Sequence, residues 1–139
     1  MATLIIDATN SVVGRLAAFT AKTAIKGDTV EVYNSQKAVF TGKPVNLFEV
    51  YRKRRTQQNK ANPDHSPHWP RRPDFFLKTV IRGMLPKHAP RGKAAEERIT
   101  CFMADVPAGK KALVFAKKIP AKSTTVLEVC EKLGWTVNE

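Results

Sequence analysis

The side chains most suited to chemistry are cations, and they are concentrated in one part of the chain. The sequence holds 24 Lys and Arg against 12 Asp and Glu, which gives a net charge of +12. Twelve of these cations lie between Tyr51 and Lys93, where the carboxylates are Asp64 and Asp74. A domain this basic attracts polyanions, either nucleic acid or an anionic membrane surface. The charge therefore forms a patch and is not spread evenly.

The stretch from Arg71 to Lys93 places this charge on both sides of an apolar middle. We predict a helix that begins at Pro73 and is stopped by Pro86, because proline cannot continue a helix. Cationic turns rich in Pro and Gly flank it, and another helix starts at Ala94. Its candidate core positions are Phe75, Phe76, Val80, Ile81, Met84 and Leu85. A buried helix with fixed cationic turns at both ends suits the binding of phosphates.

The predicted polyanion-binding residues extend beyond this stretch. The run Arg52–Arg55 exceeds what capping of a helix end needs, and Gly83 and Gly92 allow the backbone to approach a ligand closely. His88 lies between cations and is either a hydrogen-bond donor to a phosphate or an ordinary loop residue. The full set is Arg52, Lys53, Arg54, Arg55, Lys60, Arg71, Arg72, Lys78, Arg82, Gly83, Lys87, His88, Arg91, Gly92 and Lys93.

No enzyme site emerges from the motifs. His65 and His68 have a spacing found in metal sites, but no nearby cluster beyond Asp64 completes a zinc site. The Gly14 and Gly42 segments lack the other glycines of a nucleotide-binding loop. We therefore predict no catalytic residue, metal, cofactor or small-molecule substrate. Two alternatives stay open: an RNA-processing enzyme with a loop histidine (His88 or His65) as its base, and a free RNA-binding regulator.

Among polyanions, RNA is favoured because the cations lie on Pro-rich loops and helix ends beside Tyr51, Trp69 and Phe75. DNA is disfavoured because no helix-turn-helix, Cys/His finger or zipper is present. A membrane partner ranks last, since the basic residues do not form one amphipathic helix and no run of about eighteen apolar residues occurs. Trp69 either covers the edge of the core or stacks on a base.

The elements that position these residues indicate an α/β fold. A strand at Leu4–Ile6, a helix from Val12 to Gly27 and a strand at Thr29–Tyr33 form a β-α-β unit. Asn10 or Ser11 is the predicted N-cap of the helix in this unit. The other predicted elements are an edge strand at 38–40, a helix from Pro44 into Arg52–Arg55, a loop over 57–72, a strand at 99–103, and a helix capped by Ser123 that ends at Gly134.

Two cysteines, Cys101 and Cys130, each fall at an apolar position of a periodic segment. This placement predicts reduced core residues of a cytosolic protein and not a disulfide or a metal pair. The N-terminus lacks the basic region of a signal peptide and reaches Asp7 at once.

Several blocks of the chain resemble the L-thirteen family of large-subunit ribosomal proteins. They are Ile6-Asp7-Ala8, Val13-Gly14-Arg15-Leu16-Ala17, Lys26-Gly27-Asp28 leading to Val32-Tyr33-Asn34, Thr41-Gly42-Lys43, and Val80 to Lys87 followed by Arg91-Gly92-Lys93-Ala94-Ala95. The resemblance runs from about Leu4 to Pro107. The helix from Ser123 to Trp135 is similar to the archaeal and eukaryotic branch, and the compact chain favours the archaeal type.

The resemblance implies a single domain over 1–139, with a three-layer α/β/α core around a mostly parallel sheet of about four strands. A basic Pro-rich loop at 57–72 and a C-terminal extension with a helix at 108–139 complete it. It also implies a structural component of the large subunit that binds ribosomal RNA early in assembly, beside other ribosomal proteins in the cytoplasm. The RNA-facing segments correspond to Arg52–Arg55, the loop through Arg71-Arg72, and Arg82 to Lys93.

Overall fold

A parallel sheet forms the centre of the protein, which is described by a computed structural model for residues 2–115 and 122–136. Its strands are β1 (Thr3–Asp7), β2 (Thr29–Tyr33), β4 (Ile99–Cys101) and β5 (Leu113–Val114), in the order β4-β2-β1-β5. The three pairings are all parallel. The predicted α/β class and the mostly parallel sheet of about four strands are confirmed.

The register of the sheet explains which residues are buried. Ile6 pairs with Val32, and Val30 pairs with Ile99. These residues lie on one face and are almost fully buried, because side chains alternate between the faces of a strand. Glu31 and the exposed Thr100 lie on the opposite face.

Helix α1 (Val13–Lys26) connects β1 to β2 and packs its apolar stripe against α3 (Pro73–Arg82) and α4 (Pro90–Glu97). Gly27 ends it with φ 111°, a left-handed conformation that favours glycine. The predicted N-cap is wrong: Val12 occupies that position, and no side chain caps the helix. Asn10 instead adopts φ 55° in the preceding turn, and Ser11 is buried.

Helix α3 (Pro73–Arg82) is the predicted central helix, but it ends three residues before Leu85. Leu85 N–H donates to the Arg82 carbonyl at 3.1 Å, a short-range bond typical of a tightened last turn. The stripe that packs inward repeats at Pro73, Leu77 and Ile81, together with Asp74 and Phe76.

Two of the predicted core positions on this stretch are wrong. Phe75 is 53% exposed and Met84 is 44% exposed. Phe75 lies two residues from Leu77 and therefore points away from the inward stripe. Met84 follows the end of the helix, in the turn. Phe76, Ile81 and Leu85 are buried as predicted, and Val80 is half-buried.

Helix α4 (Pro90–Glu97) begins four residues earlier than the sequence predicts. Pro90 occupies the first helical position, where its missing N–H costs nothing. Arg91 and Lys93 therefore lie in the first turn of a helix and not in a loop.

A second, two-stranded sheet pairs β3 (Val39–Thr41) with β6 (Ser123–Thr125) in antiparallel register. Ser123 is therefore a strand residue, and its predicted role as N-cap is wrong. The N-cap of α5 (Val126–Lys132) is Thr125, whose hydroxyl accepts from Glu128 N–H at 3.2 Å. Helix α5 packs on α3 and brings Val126, Val129 and Cys130 into the same apolar core.

Both cysteines are free and buried, as predicted. Burial raises the pKa of Cys101 to about 12, and burial with nearby carboxylates raises the pKa of Cys130 to about 12. Within the part of the chain that the structure describes, no helix is long and apolar enough to cross a bilayer.

Candidate nucleic-acid interface

A cleft of about 710 Å³ opens beside the C-terminal end of α3. Its walls come from helix α2 (Pro44–Thr56), the loop before α3, the turn after α3 and the beginning of α4. The lining residues are Tyr51, Arg54, Pro67, His68, Trp69, Thr79, Val80, Arg82, Gly83, Met84, Leu85, Pro86, Lys87, Gly92, Lys93 and Glu96. Segments far apart in sequence thus meet at one depression.

The cleft brings together part of the predicted binding set. Arg54, Arg82, Gly83, Lys87, Gly92 and Lys93 all line it. Its rim is therefore rich in cations from both sides of the apolar stretch. The other predicted residues do not line the cleft: Arg52, Lys53, Arg55, Lys60, Arg71, Arg72, Lys78, His88 and Arg91. Arg55 and Lys78 are half-buried, and the others in this second group are exposed.

An aromatic cluster supports one wall of the cleft. The Trp69 ring lies 5.5 Å from the Tyr51 ring and 5.9 Å from the Phe76 ring, between ring centroids. Phe76 is fully buried and Tyr51 nearly so. Trp69 therefore covers the edge of the core, and the Pro-rich loop at 57–72 is attached to the domain through it.

Arg54 is positioned by this cluster. Its guanidinium carbon lies 5.3 Å from the Tyr51 ring centroid and 5.1 Å from that of Trp69. Both distances fit cation–π contacts, which fix the direction of a guanidinium without neutralising its charge. Arg54 is exposed, so its charge stays available to a ligand at the rim.

Two predicted cations take part in ion pairs. Arg82 Nε lies 3.2 Å from Glu96 Oε1, and Arg72 Nη2 lies 2.8 Å from the buried Asp74 Oδ2. The Arg82 side chain is still 62% exposed and that of Arg72 54% exposed. The pair of Arg82 with the half-buried Glu96 is a surface pair of the kind that contributes only about 0–1 kcal/mol, so a phosphate competes readily for Arg82. Asp74 is buried, so Arg72 also offsets the cost of burying that carboxylate.

Arg55 and Arg71 form a second cluster of positive charge, near the C-terminal end of α5. Burial, with the neighbouring Arg71, lowers the pKa of the Arg55 guanidinium below its usual value. Its Nη1 is buried and has no acceptor among the described residues. A Cβ placed on Gly134 would lie 3.8 Å from Arg71 Nη1, which locates Arg71 beside the helix end. Two adjacent guanidinium groups suit one phosphate, because an anion offsets their mutual repulsion.

The two glycines of the predicted set differ. A Cβ on Gly92 would lie 2.0 Å from the Pro86 carbonyl oxygen, so this position admits no side chain without movement. The lack of a side chain at Gly92 lets the turn after α3 pack directly against the first turn of α4. Gly83 has φ −60°, an ordinary helical value that any residue adopts.

Sequence reasoning missed several residues of the cleft, chiefly Pro67, His68, Met84 and Glu96. Glu96 had no sequence signal, since its role depends on the approach of α4 to Arg82. His65 and His88 are exposed and lie outside the cleft lining. Within residues 2–115 and 122–136, no group of three or more His, Cys, Asp or Glu could hold a metal ion.

The fold and the cleft together define a class of protein, an α/β domain that presents an aromatic, cation-rimmed cleft suited to a polyanion. The family model for Ribosomal protein L13 matches residues 1–107. The chain is 39% identical over 134 residues to "Large ribosomal subunit protein uL13" of Methanococcus maripaludis, covering 94% of this chain and 97% of that protein.

Two further archaeal proteins with the same name are similar. That of Methanocaldococcus jannaschii is 34% identical over 136 residues, covering 94% of this chain and 96% of the relative. That of Halobacterium salinarum is 33% identical over 140 residues, covering 98% and 94%. This chain belongs to the ribosomal protein L13 family, and the predicted resemblance is confirmed.

Proposed function

We propose that this protein is a structural constituent of the large ribosomal subunit and binds large-subunit ribosomal RNA through the surface around the cleft. The observation that carries the proposal is the cleft itself, where Arg54, Arg82, Lys87 and Lys93 meet on four separate segments. The names of the similar proteins, which are large-subunit proteins, support it. The whole chain, 1–139, acts as one domain with the 57–72 loop and the 108–139 extension.

The protein's role is to hold folded RNA in place, without catalysis, cofactor, metal or small-molecule substrate. When fixed cations bind phosphates, counterions are released from the RNA. This release gives affinity that depends little on the base sequence. Arg52–Arg55 and Arg71-Arg72 extend the contact beyond the cleft. Lys60, Lys78, His88 and Arg91 contribute at its periphery. Neighbouring ribosomal proteins complete the surroundings in the cytoplasmic ribosome, and no membrane is involved.

Sedimentation tests the proposal directly. The full-length protein should sediment with large subunits in moderate salt, whereas a free regulator should stay in the supernatant. Its affinity for ribosomal RNA fragments should fall by ~10³–10⁵ between about 50 and 200 mM salt if roughly six to ten phosphates are bound. A flat salt titration would contradict the proposal.

The enzymatic alternative requires a separate measurement. We expect ribosomal RNA fragments to stay intact during incubation with the purified protein. Turnover that His88→Ala or His65→Ala abolishes would establish an RNA-processing enzyme instead.

A further inference from the structure

The cleft contains more apolar surface than phosphate binding needs. Val80, Met84, Leu85 and Pro86 are among its lining residues, and Trp69 lines it too. A phosphate gains nothing from an apolar wall, because it is fully hydrated and charged on every side. The lining therefore fits a ligand that has apolar faces as well as negative charge.

A nucleotide has this combination. The base of a nucleotide has two flat apolar faces, and the phosphates of the nucleotide are anionic. The volume of about 710 Å³ lies within the range of ~300–1,000 Å³ typical of small-molecule sites. A base in a continuous duplex has both faces covered by its neighbours, so the cleft selects an unstacked one.

The stacking surface is already assembled. Arg54 lies over the Tyr51 and Trp69 rings at 5.3 and 5.1 Å, and Trp69 is held by the buried Phe76. Bases stack on both aromatic rings and guanidinium planes. Because these groups are packed in advance, little side-chain ordering opposes binding.

The charges of the rim fit the two ends of a nucleotide. Lys87 and Lys93 supply cations for its phosphates. Glu96 is the one carboxylate among the lining residues, and Arg82 holds it at 3.2 Å. A carboxylate accepts hydrogen bonds from an exocyclic amine of a base and repels a phosphate.

We infer that the cleft binds one unstacked nucleotide of the RNA, with its base between the Arg54–Trp69 layer and the Val80–Met84 wall and its phosphates at Lys87 and Lys93. This inference rests on the proposed function, because it assigns a nucleotide class to the same surface. The RNA partner therefore contains a bulged or looped-out nucleotide at this point.

Three RNA hairpins of equal length test the inference with the full-length protein. One carries a single bulged adenosine, one carries an abasic residue at the bulge, and one is fully paired. The first two have the same phosphates, so a difference between them reports the base. We expect the bulged adenosine to bind about 5- to 150-fold more tightly than the abasic bulge, as removal of one stacking contact implies.

Trp69→Ala should remove this preference, whereas Phe102→Ala should keep it. Phe102 is a matched control, since it is a half-buried aromatic that stacks on Tyr33 at 5.0 Å between ring centroids and lies outside the cleft lining. Because Trp69 also packs on the core, a second pair of variants avoids that contact. Met84→Glu places a carboxylate in the cleft and should remove the preference. Val45→Glu makes the same change of charge at a 65% exposed site on α2 outside the cleft lining and should keep it.

The outcomes separate this inference from the proposed function. Equal affinity of the unaltered protein for the bulged-adenosine and abasic hairpins, with steep salt dependence, would overturn the inference and leave RNA binding in place. A preference that persists in both Trp69→Ala and Met84→Glu would overturn it as well. Failure to bind any of the three hairpins in a salt-dependent way would contradict the proposed function itself.

Discussion

At the scale of single residues, Gly92 fixes the shape of the cationic turn. A Cβ there would lie 2.0 Å from the Pro86 carbonyl oxygen, which is backbone and cannot move aside alone. Gly92→Ala should therefore lower the free energy of unfolding by about 1–3 kcal/mol, as overpacking does. Urea denaturation followed by circular dichroism measures the change.

Gly14→Ala is the matched control for this variant. Gly14 also lies near the beginning of a helix, but a Cβ there meets nothing within 4 Å. Alanine has the higher helix propensity, so stability should stay the same or rise by up to ~1 kcal/mol. Equal destabilisation by both substitutions would contradict the close contact at Gly92.

Asp7, at the end of β1, gives the protein a pH-dependent contribution to stability. Partial burial raises the pKa of its carboxyl group, but hydrogen bonds from the Thr9 hydroxyl and N–H and the Asn34 amide outweigh this effect. They join Asp7 Oδ1 at 2.7, 3.0 and 3.1 Å, and the net pKa lies below the ordinary 3.8. A lowered pKa in the folded state stabilises the protein above the unfolded pKa, and this contribution is lost as the pH falls through the folded value.

Asp7→Asn should therefore lower the free energy of unfolding by about 1 kcal/mol at pH 7, a figure reduced for the partial solvent exposure of the site. The difference from the unaltered protein should begin to shrink below about pH 3.8, where the carboxylate of the unfolded chain becomes protonated, and disappear as the pH falls through the lower folded pKa. Urea titrations from pH 7 to 3 test this, with Asp64→Asn in the exposed loop as control. A difference that is constant over this range would rule out the ionised carboxylate as the cause.

At the scale of elements, α5 depends on the cap that Thr125 supplies. Removal of a threonine N-cap costs ~1 kcal/mol, and the Thr125 hydroxyl accepts from Glu128 N–H at 3.2 Å. Thr125→Ala should therefore destabilise the protein by about that amount in thermal unfolding. Ser123→Ala should have a smaller effect, because Ser123 lies in β6 and caps nothing. A larger destabilisation by Ser123→Ala than by Thr125→Ala would contradict the cap at Thr125 and support the predicted cap at Ser123.

The sequence predicts some elements well because their periodicity is unambiguous. The β1-α1-β2 unit has apolar residues at strand and helix spacing and a glycine at the helix end, so little else fits. In α3 the run Phe75-Phe76-Leu77 is continuously apolar, and periodicity alone does not say which residue points outward. Pro90 fits both a turn and a first helical position, so the sequence predicts a start at Ala94 although α4 begins at Pro90.

The cleft could be predicted only in part, because long-range contacts create it. Local composition indicates that Arg82, Lys87 and Lys93 belong together. It does not indicate that Trp69 returns to the core at Tyr51, or that Glu96 meets Arg82, since both contacts depend on tertiary packing. The sequence thus predicts the sign of the charge but not the apolar wall of the site.

At the scale of the whole molecule, the distribution of charge decides how the protein meets its partner. Lys87 and Lys93 line the cleft and are exposed. Lys22 on α1 and Lys111 before β5 are also exposed, but they do not line it. Nonspecific attraction would depend equally on all four cations, whereas the proposed docking of RNA on the cleft would depend mainly on Lys87 and Lys93.

The double variant Lys87→Ala/Lys93→Ala separates the two cases. Each lost phosphate contact should reduce the slope of log affinity against log salt by about 1, so we expect a reduction of about 2 in binding to ribosomal RNA fragments. Lys22→Ala/Lys111→Ala removes the same total charge and should leave the slope nearly unchanged. Docking on the cleft makes the position of each cation matter. Equal slopes for the two double variants would therefore contradict docking there and would mean that RNA responds to net charge alone.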